Sequence, residues 1–293
     1  MHKSALSQLI ISMAIFGSVG FFSSRTGLPA VELVFVRCVC AFAILLAAWL
    51  LTGSFRRERW DARETLIVIA CGVSNLLNWV FLFTAFRLIS VTIAISLYHL
   101  APILALIAGG LIFRDKLGRT AVFALAGCFA GTMLIMGAGF EGTAPSWKGM
   151  LCGVLAAIFY AATMLLGRSV RQTSVYATTF IQMAIGMALL LPFVHFNAYA
   201  GLVRSEWIYA VATGIVHTGV VYLLFFGSIR RLPSPTVAVF VFVDPAVAIL
   251  LDVLVNGFRP DGLQTAGILL LFGSLLAAFA IPMRRTARPQ AKL

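Results

Sequence analysis

Hydrophobic residues along this chain do not alternate with polar ones. They come in long unbroken runs, and polar residues gather in the short gaps between them. A helix rising 1.5 Å per residue needs about 20 apolar residues to cross the hydrocarbon of a bilayer. Ten runs meet that length: Ser4–Phe22, Val31–Leu51, Thr65–Phe86, Ile89–Phe113, Arg119–Gly137, Trp147–Gly167, Tyr176–Phe196, Trp207–Phe226, Pro235–Val255 and Asp261–Pro282. Strands of a membrane barrel would alternate over about ten residues. The runs therefore predict an all-α integral membrane fold with ten transmembrane helices. Lys3 before the first run suggests a signal peptide, but the small-residue cleavage pattern before Arg25 is poor and more spans follow at once. It is read as the first helix. The gaps leave no room for a soluble domain.

A shift of 143 residues brings the halves into register. Ala14-Ile15-Phe16 falls on Ala157-Ile158-Phe159, Phe83 on Phe226, Arg87 on Arg230, Pro102 on Pro245 and Leu111 on Leu254. The argument rests on matched spans and matched punctuation, since identity between the halves is little above chance. Residues 1–143 and 144–293 each hold five spans. An odd number makes the second copy enter the membrane from the opposite side. Two five-helix inverted-topology repeats are the arrangement of many secondary transporters, whose substrate site lies near the midplane between the copies.

Composition sharpens this reading. The 293 residues are 61% hydrophobic and 11% charged, against about 25% charged in a soluble domain. The net charge of +12 would suggest nucleic acid in a soluble protein, but short juxtamembrane pairs make no clustered basic patch. Alternate threading puts Lys3, Arg56, Arg57, Arg59, Arg63, Arg114, Lys116, Arg119, Arg168, Arg171, Arg230, Arg231, Arg284, Arg285, Arg288 and Lys292 on one side. Arg25, Arg87, Lys148, Arg204 and Arg259 fall on the other. By the positive-inside rule this predicts a multi-pass protein of the cell's inner membrane with cytoplasmic N- and C-termini. The five cysteines lie inside runs without redox or zinc spacing. They read as small buried hydrophobes, and no metal or cofactor is expected.

Polar groups in hydrocarbon cost free energy unless they find partners or line a wet cavity, so their depth is informative. The third run carries Asn75, Asn78 and Trp79 on one helical face at its centre. The eighth carries His217, Thr218 and Tyr222, and the shift lays Asn75 on Thr218 and Trp79 on Tyr222. Tyr98, His99 and Pro102 centre the fourth run, Asp244 and Pro245 the ninth, and Tyr160 and Thr163 the sixth. Together they predict a central cavity, polar in a few places and aromatic in many. The candidate substrate-binding residues are Asn78, Trp79, Tyr98, His99, Tyr160, His217 and Tyr222. Asp244 is the candidate coupling group, an ionisable side chain at mid-span. Pro102 and Pro245 are candidate hinges, each removing a helical hydrogen bond. Each also has a plainer reading: helix–helix glue for the asparagines, packing for the aromatics, neutral core residues for the histidines, a partnered buried acid for Asp244 and a static kink for the prolines. Asp252 reads as an interfacial residue. Arg37 reads as a structural residue near the outer end of the second run, snorkelling or paired with Glu32. Gly127 and Gly131, like Gly273 and Ala277, have the spacing of close helix packing.

The ten spans and two copies with a central proline in each fourth helix resemble the EamA type of the drug/metabolite transporter superfamily. The landmarks are Arg37, His99-Leu100-Ala101-Pro102 and Asp115-Lys116-Leu117. Family members usually carry a glycine–glutamate pair at the end of the fourth helix, where this chain has Arg114-Asp115 and, in the second copy, Gly257-Phe258. Within the superfamily the chain is similar to YddG-like bacterial aromatic amino acid exporters. That resemblance implies export of aromatic and other neutral amino acids by alternating access, with a small-molecule substrate and the lipid bilayer as its partners, as a monomer or weak homodimer. Other apolar metabolites or drugs would suit the same lining. A membrane-embedded enzyme lacks the groups it needs, because Asp244 has no acidic mate at its depth and two histidines make a poor zinc site. A channel would need a hydrated or charged pore.

Overall fold

The computed structural model describes residues 3–51, 53, 56, 58, 61–89, 91–115, 118–136, 146–255, 257 and 259–280, and among them every regular element is helical. The first run is split into α1 (Lys3–Gly17) and α2 (Val19–Ser23) at Ser18, whose hydroxyl donates to the Ile15 carbonyl at 2.7 Å and competes with the helical ladder. Next come α3 (Ala30–Leu51) and α4 (Ala62–Leu88). The Asp61 carboxylate caps α4 by accepting from the Glu64 N–H at 3.0 Å.

The fourth run was expected as one helix bent at Pro102. It is instead interrupted, as α5 (Val91–Tyr98) and α6 (Ala101–Phe113), with His99 and Leu100 between them. Pro102 sits in the first turn of α6, where its missing N–H costs nothing. The ninth run breaks in the same way, into α12 (Ser234–Phe240) and α13 (Val243–Leu254), with Pro245 in the first turn of α13. Between these lie α7 (Arg119–Met136), α8 (Trp147–Ser169), α9 (Val175–Leu190), α10 (Arg204–Gly214) and α11 (Val221–Ile229), and the last helix is α14 (Gly262–Ala280). A π-helical turn, Ile215–Val220, joins α10 to α11. The seventh run was expected to reach Phe196. The α-helix stops at Leu190 because Pro192 cannot continue it, and short 3-10 turns follow.

Among the described residues seven stretches are long and apolar enough to cross a membrane: 4–23, 30–51, 62–85, 147–169, 175–193, 204–229 and 234–251. Three shorter apolar helices cover 101–113, 119–135 and 262–278. The outer surface is apolar, with Leu111 79%, Phe123 74% and Leu276 68% exposed. In water such a surface would associate; in lipid it is solvated.

Helices of one half pack chiefly on helices of the other. α1 lies on α11 and α13, while α8 lies on α4, α5 and α6. α3 packs on α9 and α10, α4 on α9, α6 on α12, and α7 on α14. The α7–α14 crossing depends on small residues. A Cβ on Gly131 would lie 2.7 Å from the Gly267 carbonyl oxygen, and one on Gly267 would lie 2.7 Å from that of Gly131. Gly127 faces Ser274 across the same crossing. The expected role of Gly273 in such packing does not hold, since nothing lies within 4 Å of the Cβ it would carry. Gly131→Val is expected to cost about 2 kcal/mol by overpacking against backbone. Thermal unfolding in detergent should show that loss, with Gly273→Val unchanged as the control.

Candidate functional site

The polar face of α4 points inward. Asn75, Asn78 and Trp79 are all buried. The Tyr222 hydroxyl, from α11, donates to Asn75 Oδ1 at 3.2 Å. The Trp79 ring meets Tyr222 edge-on at 6.0 Å, and Phe16 of α1 meets Tyr222 in the same manner at 5.6 Å. Asn78 faces the hydroxyl of Tyr98, at the last turn of α5. Its own Oδ1 has no partner among the described residues. Tyr98 lies flat on Tyr160 of α8, with centroids 5.0 Å apart and planes 4° apart. Five aromatic rings from two halves of the chain thus form two neighbouring groups, Phe16, Trp79 and Tyr222 in one and Tyr98 with Tyr160 in the other, each flanked by an asparagine of α4.

Asp244 borders the second group, within electrostatic range of both Tyr98 and Tyr160. No ion pair or side-chain hydrogen bond reaches its carboxylate among the described residues. Tyr98, Tyr160 and Asp244 are each enclosed by protein, yet each keeps part of its surface accessible.

Of the two histidines, His99 stays edge-on to Tyr98 at 6.4 Å, while His217 lies at the α1–α2 break. His99 donates Nδ1–H to the Ile95 carbonyl at 2.8 Å and sets its ring against Phe242 at 5.5 Å. His217 lies 2.9 Å from Ser18 Oγ through Nε2. Ser18 spends its own proton on Ile15, so Nε2 donates and the ring braces the α1–α2 break, tilted on Phe22 at 4.7 Å. Each thus gives one ring nitrogen to a protein acceptor. The Asp252 side chain, Lys116, Leu117 and Phe258 lie outside the described residues.

Arg37 departs from expectation. It neither snorkels nor pairs with Glu32. Its side chain is buried, Nε donates to Thr218 Oγ1 at 3.0 Å, and the guanidinium lies 5.2 Å from the centroid of the Trp79 ring. The reason is angular. Five residues of α-helix turn the chain by about 140° beyond one revolution, so Glu32 and Arg37 face different neighbours. Glu32 instead accepts from the His195 backbone N–H at 3.1 Å and lies 3.2 Å from His195 Nδ1, while Tyr199 donates to the Glu32 carbonyl at 2.8 Å.

A second polar assembly closes one mouth of the bundle. Glu64, in the first turn of α4, accepts from the backbone N–H groups of Arg171, Gln172 and Thr173 at 2.8–2.9 Å and from the Thr173 hydroxyl at 3.0 Å. Asp115, just past α6, takes a bidentate pair from Arg168 of α8 and the Ser234 N–H of α12 at 2.9 Å. Burial pushes the Asp115 carboxyl up, but the bonds from Arg168 and Ser234 outweigh it and hold it below the usual carboxylate range. Arg230 donates to the Thr173 carbonyl at 2.7 Å and to Thr178 at 2.6 Å, tying the end of α11 to the same turn. Burial lowers this guanidinium to about 10. A cleft of about 680 Å³, lined by Asp61, Arg63, Phe113 and Gln172 among others, opens at this mouth and not at the aromatic cluster. Sequence reasoning passed over Glu64 and Asp115 as partners. The available signal was acids embedded in the basic loops.

Comparison with known proteins bears on this geometry. The model of a family described as the EamA-like transporter family matches the chain twice, over residues 3–137 and 147–280. The chain is 49% identical over 275 residues to a Bacillus subtilis protein described as the uncharacterized transporter YxxF, covering 93% of this chain and 88% of that one. It is 23% identical over 271 residues to an uncharacterized transporter of Archaeoglobus fulgidus, covering 92% of this chain and 94% of that one. A solved crystal structure superposes with a TM-score of 0.82 over 95% of this chain and 97% of its own, at 21% identity, a likeness of fold.

Proposed function

The chain belongs to the EamA-like transporter family, and from that membership we propose that it exports small amphipathic metabolites, foremost aromatic and other neutral amino acids, across a cell's inner membrane by alternating access. A multi-pass membrane transporter is what the family and its relatives give. The cargo and the mechanism are our reading. One observation carries it: Trp79 with Tyr222, and Tyr98 with Tyr160, pair aromatic rings of the first half with rings of the second, and Tyr98 and Tyr160 keep part of their surface accessible. Flat rings stack on aromatic side chains, and the flanking amides and hydroxyls suit the polar end of such a molecule. In this reading His99 flanks Tyr98 edge-on, and His217 stands farther out against Ser18 and Phe22.

Helix packing supports ten spans in two inverted five-helix copies, residues 1–143 and 144–293. Under the 143-residue shift, α1 against α11 corresponds to α8 against α4, and α3 against α10 corresponds to α9 against α4. The pairs α3–α9 and α7–α14 correspond to themselves. Such reciprocity is what a pseudo-two-fold axis between the copies produces. The interruptions at His99–Leu100 and at Val241–Phe242, each followed by a proline, lie beside the cluster and are the proposed hinges. The basic mouth faces the cytoplasm by the positive-inside rule.

In proteoliposomes, the chain is expected to give saturable uptake of L-phenylalanine or L-tryptophan. Trp79→Ala with Tyr160→Ala removes two ring contacts worth about 0.5–1.5 kcal/mol each and is expected to lower transport about tenfold or more. Uptake unchanged by the double substitution would refute the cluster as the substrate site. Saturable transport of apolar compounds alone would replace the amino acid reading.

A further inference from the structure

We infer that Arg37 anchors a carboxylate on the transported molecule and that Asp244, which also neighbours Tyr98, receives its ammonium group, so that the substrate class is zwitterionic. This rests on the transporter reading of the same cluster and names which side chains hold the polar end. It displaces Arg37 from the structural role that its place in the sequence suggested.

A buried guanidinium is costly unless an anion answers it. None does here. Among the described residues the ion pairs are Arg168 with Asp115 and His195 with Glu32, and no carboxylate lies within 4.0 Å of Arg37. Its protein contacts are a hydroxyl and the face of an indole, both neutral. These contacts position the group without neutralising it. The Thr218 hydroxyl gives its own proton to the Thr213 carbonyl at 3.0 Å, which leaves its oxygen to accept from Arg37 Nε. Thr218 stands in the π-helical turn, a distortion common at functional sites. At Gly214, where that turn begins, a Cβ would fall 2.4 Å from Cys40 Cβ, so only glycine lets α3 come this close. The backbone of both helices is thus shaped to hold Arg37 where it is.

Asp244 is the complementary group. Among the described residues it too has no ion-pair or side-chain hydrogen-bond partner, and both charges lie within electrostatic range of Tyr98. They are not bonded to each other. A molecule with a carboxylate and an ammonium would answer both charges, with its apolar body set against the neighbouring rings. The planar fork of an arginine matches a carboxylate in two parallel hydrogen bonds.

The test is binding to the purified full-length chain in detergent, followed by calorimetry, with three probes. L-Phenylalanine carries both charges, L-phenylalaninamide lacks the carboxylate, and 3-phenylpropionate lacks the ammonium. Wild-type protein is expected to prefer phenylalanine to each of the others by about tenfold or more, the scale of one charged hydrogen-bonded contact. This comparison needs no variant and so is independent of whether a variant folds. Arg37→Gln should bring the acid-to-amide ratio to about one, and Arg37→Lys should restore part of it. Asp244→Asn should remove the preference over 3-phenylpropionate. Equal wild-type affinity for acid and amide, or an unchanged ratio in Arg37→Gln, would overturn the anchor. If no phenyl compound binds, the aromatic cargo is refuted separately. The same comparison with L-leucine and L-leucinamide then decides the anchor: an acid preference abolished in Arg37→Gln upholds it, and no preference overturns it.

Discussion

Glu64→Ala is expected to lower the stability of the chain by about 3–4 kcal/mol and to loosen the turn between α8 and α9. The carboxylate satisfies four donors at once, three of them backbone N–H groups that no helix of the structure otherwise serves. An orphaned buried donor costs about 1–3 kcal/mol. Arg171 and Gln172 are exposed, so water can replace part of their loss. Thr173 is buried, and both its N–H and its hydroxyl would be stranded. Glu64→Gln keeps one acceptor oxygen but turns an NH2 group toward donors, so about half of the loss is expected there. Thermal unfolding in detergent gives the size of the effect. Amide exchange gives its location: protection at residues 171–174 should fall more than protection within α8. A uniform fall across the chain would mean that Glu64 acts through global packing and not through this turn.

The helices were legible because lipid leaves a chain little choice. Every backbone polar group must be satisfied within the bilayer, so an apolar run of span length is a helix. α7 and α14 begin and end within two residues of the fifth and tenth runs. Interruptions were less legible. Pro102 and Pro245 announce a weakened ladder, but whether a helix bends or breaks depends on what receives the freed carbonyls, which is a matter of neighbours. The Ser18 break and the π-helical turn carry no proline and left no mark on hydropathy.

The site was legible by type and not by pairing. Depth picked out Asn75, Asn78, Trp79, Tyr98, Tyr160 and Tyr222, since a polar or amphipathic group at mid-span needs a reason to be there. That Tyr98 stacks on Tyr160 while Tyr222 reaches Asn75 joins positions far apart in sequence, and no local pattern encodes it. Arg37 was misassigned because the nearest acid in sequence seemed its natural partner. Helical angle alone separates Glu32 from it, and that argument was available from the spacing. The acids of the basic mouth were overlooked for the opposite reason: counting charge by side treats them as minor, although an acid among arginines is where a specific tie forms.

Asp115→Asn is expected to cost about 3 kcal/mol at neutral pH, with a pH dependence that identifies its origin. Asp115 joins the ends of three helices, α6, α8 and α12, through Arg168 and the Ser234 N–H. The amide cannot answer the guanidinium, and a largely buried arginine without its carboxylate is strongly unfavourable. In the folded chain the carboxyl is held below its ordinary value, so the unfolded chain takes up its proton first as pH falls. Its stabilisation is complete above the ordinary aspartate pKa of about 3.9 and is lost as pH falls through the lowered folded value. The gap in unfolding midpoint between wild type and Asp115→Asn should therefore be constant from neutral pH to about 5 and close progressively below about 4. A gap that closed near neutral pH would point to a different titrating group. In the alternating-access reading this tie must break whenever the basic mouth opens, so Asp115→Asn should also favour that opening. Membrane-impermeant thiol reagents applied from the basic side should then reach Cys71, buried beside Thr163 of α8, faster in the variant than in wild type. Equal labelling rates with an unchanged melting gap would make Asp115 a static tie that the transport cycle leaves closed.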